Sequence, residues 1–183
     1  RNRHLLAVQN GVLDLKEMVH REARREDLLT MSSPAAFVLG AVCPAFDAFL
    51  NRAFDGDTDL IAYWWRIVGY SLTGYVDHDA LFFCHGAGAN GKSTAFLVLR
   101  MLLGDGLSCI LNVQALLGHG QDANAAYSKS MLEGKRLVLT DELPEGRALN
   151  EATVKALLGG EDIQARRPYE MPYNFSPTHK IWM

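Results

Sequence analysis

The segment GAGANGKST, from Gly86 to Thr94, constrains this chain more than any other feature. It follows a short apolar run, Ala80 to Cys84, and precedes an amphipathic stretch that runs from Lys92 to Leu103. A continuous apolar run is typical of a strand buried on both faces of a parallel sheet. A glycine loop between a strand and a helix is the context in which phosphate-binding loops occur, so the sequence predicts a P-loop here.

Each part of this loop has a physical role in binding ATP with Mg²⁺. The glycines let consecutive backbone N–H groups point at phosphates, and the helix that begins at Lys92 adds the positive end of its dipole. We expect Lys92 to reach the β- and γ-phosphates and the Ser93 hydroxyl to ligate Mg²⁺. The expected ATP-binding residues are Gly86, Ala87, Gly88, Ala89, Asn90, Gly91, Lys92, Ser93 and Thr94.

A carboxylate pair follows a second apolar run. Residues 136–140 read RLVLT, and Asp141 and Glu142 come directly after them. Asp141 can hold Mg²⁺, directly or through water, and Glu142 can orient and polarise the attacking water. Phosphoryl transfer depends mainly on positioning and charge stabilisation, so Glu142, Asp141 and Lys92 are the expected catalytic residues. The alternative is that the two acids open an exposed loop.

Two adjacent arginines form a candidate DNA contact. Arg166, Arg167 and Tyr169 lie between 163–167 and 173–175, which could form the arms of a hairpin. Arginines bind phosphates and a tyrosine can stack on a base, although a solvated turn explains the same residues. Because the net charge is −3, DNA binding would need a local basic element of this kind.

The remaining pattern indicates an α/β fold with a mostly parallel sheet flanked by helices. Before it, residues 1–79 are expected to form a small, mainly helical region with a β-hairpin around Asn10 and Gly11. Helices are predicted from Pro44 to Phe54 and after an Asp57 cap, with Trp64 and Trp65 assigned to core packing rather than base stacking. Residues 80–183 are the expected ATPase domain.

Composition excludes several other classes of protein. The chain has 183 residues, of which 49% are hydrophobic and 21% charged, as in an ordinary soluble enzyme. Its three cysteines show no CxxC spacing, which favours a reducing cytosol over a disulfide framework. Since no apolar run is long enough to cross a bilayer, no membrane partner is expected. The chain starts without Met and stops within an apolar run, so we expect a piece of a longer protein.

The ordered motifs resemble those of a known family. GAGANGKST, RLVLTDEL, LNEATVKALLGGEDIQARRPYE and PTHKIWM occur in the order seen in superfamily 3 helicases of phages and plasmids. More closely, they resemble the helicase half of the phage/plasmid primase–helicase family. NGVLDL, CPAFDAFL and IVGYSLTG resemble the helical domain that precedes the ATPase in that family.

The resemblance implies an AAA+-like ATPase that assembles as a ring, expected to be a hexamer, and translocates on single-stranded DNA. It implies a cytoplasmic protein in a bacterial host or phage-infected cell, with Arg166 and Arg167 on a pore hairpin. The family's third motif ends in an Asn that senses the γ-phosphate, and that residue and the neighbouring subunit's arginine would lie beyond Met183. We therefore expect this length of chain alone to hydrolyse little ATP.

Two other functions remain open at this point. A P-loop nucleotide or metabolite kinase would transfer phosphate to a small acceptor and would not respond to DNA. A non-catalytic module would bind DNA or partner subunits without turnover.

Overall fold

The computed structural model describes residues 2–86, 88, 90–117 and 123–183, with side chains of 123–125 left aside. It is a mixed α/β structure that contains a parallel sheet, as the sequence predicts. None of the helices in these ranges is long and apolar enough to span a bilayer.

The first strands form a small antiparallel sheet. Strands β1 (Leu5–Val8) and β2 (Gly11–Asp14) pair with Val8 opposite Gly11, which confirms the hairpin. A third strand, β3 (Val19–Arg21), pairs with β2, so the sheet is larger than the predicted hairpin. The charged stretch around β3 has no period-2 apolar pattern, so the sequence does not predict this strand. A 3₁₀ turn, Arg25–Asp27, follows it.

Two helices then lead to the parallel sheet. Helix α1 (Pro44–Ala53) has Pro44 in its first turn, where a missing N–H costs nothing. Helix α2 (Thr58–Leu72) is capped by the Asp57 carboxylate, which accepts hydrogen bonds from the N–H groups of Asp59 and Leu60. Both helices and both starting signals agree with the sequence prediction.

The second half of the chain alternates strands and helices. In chain order its elements are β4 (Leu81–Phe82), α3 (Lys92–Leu107), β5 (Ser108–Leu111), α4 (Gln114–Leu117), α5 (Ala123–Ser130), β6 (Leu137–Thr140), α6 (Glu151–Leu158), β7 (Ile163–Ala165), β8 (Tyr173–Phe175) and β9 (Lys180–Trp182). Helix α3 breaks at Gly104, whose φ of 67° and ψ of 172° are not helical, directly after the amphipathic stretch predicted from Lys92 to Leu103.

Four of these strands form one parallel sheet in the order β4-β9-β6-β5. Strand β9 therefore lies between the strand that precedes the glycine loop and the strand that precedes the acid pair. Strands β7 and β8 pair separately as an antiparallel hairpin, as expected from the sequence.

The two central strands of the parallel sheet, β6 and β9, are buried on both faces, whereas the edge strand β4 is only half-buried. On one face Leu139 and Trp182 pack with α3 and with Leu6, Leu50 and Trp64 from the first part of the chain. On the other face lies a second apolar cluster, which includes Val138, Ile181, Leu157 and Phe175. Alternate residues of the same strands thus serve different clusters, as in a sheet covered by layers on both sides.

Trp64 shows how residues 1–79 join the sheet. Its ring lies edge-on to Trp182 with 5.2 Å between centroids, and it is buried, so the prediction of core packing is confirmed. Trp65 is 45% exposed and meets Phe46 at 5.8 Å, so the prediction of core packing is wrong for this residue, which lies on the outer side of the helix. The first helices share an apolar core with α3 and the sheet, so no break between cores separates residues 1–79 from the rest. The domain boundary at residue 79 therefore remains a prediction from the sequence.

Candidate nucleotide site

The glycine loop, Gly86–Thr94, leaves the carboxyl end of the sheet and enters α3. Strand pairing continues past β4, because Cys84 N–H donates to the Met183 carbonyl at 2.7 Å. At the other end Gly91 occupies the N-cap position with φ 87°, and no side chain within the described residues caps the helix there. The start of α3 therefore offers its N–H groups and its dipole to a bound anion.

Lys92 folds over the loop. Its Nζ donates to the Gly86 carbonyl at 3.3 Å and to Asn90 Oδ1 at 3.2 Å. A Cβ on Gly86 would overlap the Asn90 amide, so a side chain at Gly86 would disturb this arrangement. The lysine that the sequence assigns to the phosphates is thus held by the loop itself, with its charge above the strand-to-helix turn.

The other predicted loop residues lie close by in the chain. Gly88 is exposed with φ 91°, and Ser93 and Thr94 are exposed in the first turn of α3. The predicted ATP-binding residues Ala87 and Ala89 lie outside the described residues.

The acid pair lies at the same edge of the sheet as the loop. Phe82 pairs with Trp182, and Trp182 pairs with Leu139, so the β4 and β6 backbones are about 10 Å apart at this level. Because the strands are parallel, Asp141 and Glu142 leave β6 on the side where the glycine loop leaves β4. Both acids are exposed. In open α/β sheets ligands bind at this carboxyl edge.

These residues supply oxygen ligands of the kind that Mg²⁺ prefers. The Ser93 hydroxyl and the Asp141 carboxylate could each provide one ligand, and phosphates and water would complete the shell. Within the described ranges no group of three or more His, Cys, Asp or Glu could hold a metal ion without a ligand's help. Two oxygen donors are too few to hold Mg²⁺ without further ligands such as phosphate oxygens and water.

An aromatic cavity of about 590 Å³ adjoins the loop. It lies between α1, α2 and the start of α3, and its lining includes Phe49, Tyr63 and Trp64 as well as Lys92. The sequence did not predict this cavity, because the apolar spacing in α1 and α2 is equally consistent with packing in the core.

The predicted DNA contacts lie on the β7–β8 hairpin and differ in their surroundings. Tyr169 is fully exposed at the tip with φ 63°, and Arg166 Nε donates to the Glu170 carbonyl at 3.0 Å. Arg167 instead pairs with Glu133 at 2.7 Å and lies over the Tyr173 ring at 5.1 Å. Glu133 lies 34 residues before Arg167 in the chain, so no local sequence pattern indicates this pair.

The Glu133 contact ties the hairpin to the segment before β6. Tyr173 also donates its hydroxyl to Glu133, at 3.0 Å, and burial raises the pKa of that phenol, with the neighbouring carboxylate adding to the shift. Arg166 N–H donates to the Ala126 carbonyl of α5 at 3.3 Å. The base of the hairpin is therefore anchored on both arms, while its tip is open to solvent.

Comparison with family models assigns more than half of the chain. Residues 84–183, which include the glycine loop, the acid pair and the hairpin, match the model described as a family of unknown function (DUF5906). The chain belongs to the DUF5906 family. Residues 1–55 of this DUF5906 chain also match the model described as D5 N terminal like.

Viral proteins are among the curated relatives of the DUF5906 chain. It is 25% identical over 189 residues to a protein of Acanthamoeba polyphaga mimivirus named as a candidate helicase, L207/L206, a match over 100% of the chain. It is 26% identical over 183 residues, 97% of the chain, to the candidate primase C962R of African swine fever virus. The chain spans about a fifth of the length of these relatives, 19% of each.

Solved structures show the same fold. The A form apo structure of the NrS-1 C terminal region matches with a TM-score of 0.58 at 13% identity, over 78% of this chain and 32% of that one. A second apo structure of that region gives a TM-score of 0.57 at 12% identity, over 78% and 33%. At this identity the likeness concerns the fold alone.

Proposed function

We propose that the chain is the nucleotide-binding part of an ATP-dependent DNA helicase of the primase–helicase type. The observation that carries this proposal is the register of the parallel sheet, which brings the glycine loop and Asp141–Glu142 to one edge with a single strand between them. The helicase and primase names of the viral relatives agree with it.

The chain's own residues would divide the chemistry of hydrolysis. Lys92 and the N–H groups at the start of α3 bind the β- and γ-phosphates, and Ser93 and Asp141 hold the metal. When bound, Mg²⁺ neutralises negative charge on the phosphates. Glu142 orients the attacking water towards the γ-phosphate.

Coupling to DNA would fall to the β7–β8 hairpin. Its exposed tip carries Tyr169, which could stack on a base, beside Arg166, which could bind a phosphate. In the whole protein we propose that a ring of subunits, six by analogy with the family it resembles, presents these hairpins to single-stranded DNA.

The test of nucleotide binding is Lys92→Ala. We expect this variant to weaken Mg²⁺–ATP binding at least about 100-fold, because a charged donor to phosphate is lost while the fold is kept. Isothermal titration calorimetry measures the affinity, and thermal unfolding checks the fold. Lys16→Ala, a change at an exposed residue in the turn between β2 and β3, is the matched control.

Glu142→Gln separates binding from hydrolysis. In the full-length protein it should keep ATP affinity within about threefold and lower the ATPase rate by at least about 100-fold. Unchanged ATP affinity in Lys92→Ala, or unchanged turnover in Glu142→Gln, would contradict the proposal. Phosphate transfer to a small acceptor, without a response to DNA, would favour a kinase instead.

The hairpin is tested by Arg166→Ala combined with Arg167→Ala in the full-length protein. We expect basal ATPase to stay and stimulation by single-stranded DNA to be lost, because the change removes two phosphate-binding cations far along the chain from the loop. Stimulation equal to that of the parent would exclude the hairpin as the DNA contact.

A further inference from the structure

The cavity beside the glycine loop is built by two distant parts of the chain. Phe54, Leu60 and Tyr63 line it from the first helices, while Phe83 and Phe96 line it from the flanks of the loop. Its volume of about 590 Å³ lies within the range of cavities that hold small organic ligands.

The cavity is continuous with the glycine loop. Asn90, Gly91 and Lys92 line the cavity and also belong to the loop. Phe49 of α1 packs so closely on Gly91 that an added Cβ would lie 2.6 Å from its ring. A ligand with phosphates on the loop would therefore have the rest of its body directed at this opening or at solvent.

The chemistry of the lining selects the less polar part of such a ligand. Aromatic and aliphatic side chains dominate it, and besides Lys92 the charged residue on the wall is Asp55, which is exposed. Phosphates would lose hydration there without compensation, whereas a flat heteroaromatic ring gains stacking area.

We propose that this cavity receives the base and ribose of the nucleotide, so that α1 and α2 form the nucleoside half of the site. The proposal rests on the proposed function, since it requires phosphates on the glycine loop. It makes Tyr63 a contact for the base: this side chain lines the cavity and is 48% exposed, so it can meet an incoming ring without unfolding the core.

Two probes separate the nucleoside half from the phosphate half. ATP carries both, and inorganic tripolyphosphate carries phosphates alone. Tyr63→Ala should weaken Mg²⁺–ATP binding about tenfold, the usual effect of losing one base–aromatic stack, and change tripolyphosphate binding less than about twofold. Tyr63→Phe should restore ATP affinity, because the ring rather than the hydroxyl makes the contact.

Trp65→Ala is the matched control. Trp65 lies on the same helix with a similar exposed fraction, 45%, but does not line the cavity, so neither probe should change. Ala53→Trp is a second variant, which fills the cavity from α1 and should weaken ATP but not tripolyphosphate. In addition, the fluorescence of 2-aminopurine riboside triphosphate should be quenched on binding the parent and less so on binding Tyr63→Ala.

The outcomes separate the two proposals. If Lys92→Ala weakens both probes while Tyr63→Ala and Ala53→Trp leave ATP binding unchanged, the nucleoside assignment is wrong and the phosphate site stands. If Tyr63→Ala weakens both probes equally, the residue acts through the loop and the assignment is also wrong. If neither probe binds in a manner that depends on Lys92, the proposed function fails and the nucleoside assignment fails with it.

Discussion

Basic side chains lie at both ends of the parallel sheet, but they are accessible at one end and buried at the other. At the carboxyl end Lys92 is partly exposed above the glycine loop, and Asp141 and Glu142 are exposed nearby. At the amino end Arg136 and Lys180 are buried, at 7% and 3% exposure, just before or at the start of their strands. The first set is available to a ligand, whereas the second is enclosed by the protein.

The enclosed cations bind backbone carbonyls of the first part of the chain. Arg136 donates to the carbonyls of Arg3 and Leu5 at 3.0 and 3.1 Å, and Lys180 Nζ donates to the Thr73 carbonyl at 2.5 Å. Burial lowers the pKa of Arg136 to about 10 and that of Lys180 to about 7. These hydrogen bonds attach the N-terminal strands and the end of α2 to the amino end of the sheet, whereas the carboxyl end remains accessible to a ligand.

The largest expected effect is on the pH dependence conferred by Lys180. Burial, with the nearby charge of Arg136 adding to it, holds the folded pKa of Lys180 near 7 against 10.5 for a lysine in water, so between these values the unfolded state binds more protons. Stability should therefore rise with pH from about 7 to 10, and the cost of the buried charge is fully present below pH 7.

Lys180→Met removes that titration and keeps the side-chain volume against the Tyr70 ring, which lies 4.4 Å from Nζ. The unfolding free energy of the parent minus that of the variant should increase by roughly 2–5 kcal/mol between pH 7 and 10. Urea unfolding at fixed pH measures the difference. A difference that stays flat or falls over this range would show that burial does not lower the pKa of Lys180 in the folded protein.

An effect of intermediate size on the free energy of unfolding is expected for Gly74→Ala. A Cβ at Gly74 would overlap the Arg136 guanidinium, which its two carbonyl partners prevent from moving freely. The variant should lose about 1–3 kcal/mol of unfolding free energy. Gly69→Ala is the control, because nothing lies near its Cβ within α2 and it should gain about 0.5–1 kcal/mol. Equal changes in unfolding free energy for Gly74→Ala and Gly69→Ala would contradict the conclusion that Arg136 is held in place at the amino end of the sheet.

The smallest effect is expected at the hairpin, where the Arg167 side chain is about half exposed and is paired with Glu133. Glu133→Gln removes its partner carboxylate at 2.7 Å and should cost less than about 1 kcal/mol of stability. If Arg167 contacts DNA, single-stranded DNA affinity should rise a few-fold, because one competing anion is gone. Glu151→Gln, which breaks an exposed pair with Lys155, is the control. Weaker DNA binding in Glu133→Gln would mean that the pair positions the hairpin for binding.

Much of the fold could be predicted because its signals are local. The turn at Asn10, the cap at Asp57 and the helix break at Gly104 each depend on a few neighbouring residues, and the structure has all three. The predicted hairpin arms also pair as expected. Strand β3 could not be predicted, since its pairing with β2 does not need an apolar pattern of its own.

The candidate site likewise combines local features, which could be predicted from the sequence, with contacts between distant segments, which could not. The glycine loop and the acids Asp141 and Glu142 could be found from residue type and flanking runs, but their roles in binding and hydrolysis remain predictions. The insertion of β9 between β4 and β6, which decides their separation, depends on a strand about 100 residues after the first. The cavity and the Glu133–Arg167 pair involve contacts between distant segments and carry no local signature.

By itself, the sequence determined most of the strands, helices and turns, though not β3, and where phosphate-binding chemistry could lie. Only the tertiary structure decided that Arg136 and Lys180, ordinary charged residues in the sequence, are enclosed while Lys92 is accessible. The physical reason is range: caps, turns and periodicity act over a few residues, whereas burial depends on partners such as Arg3, 133 positions away from Arg136.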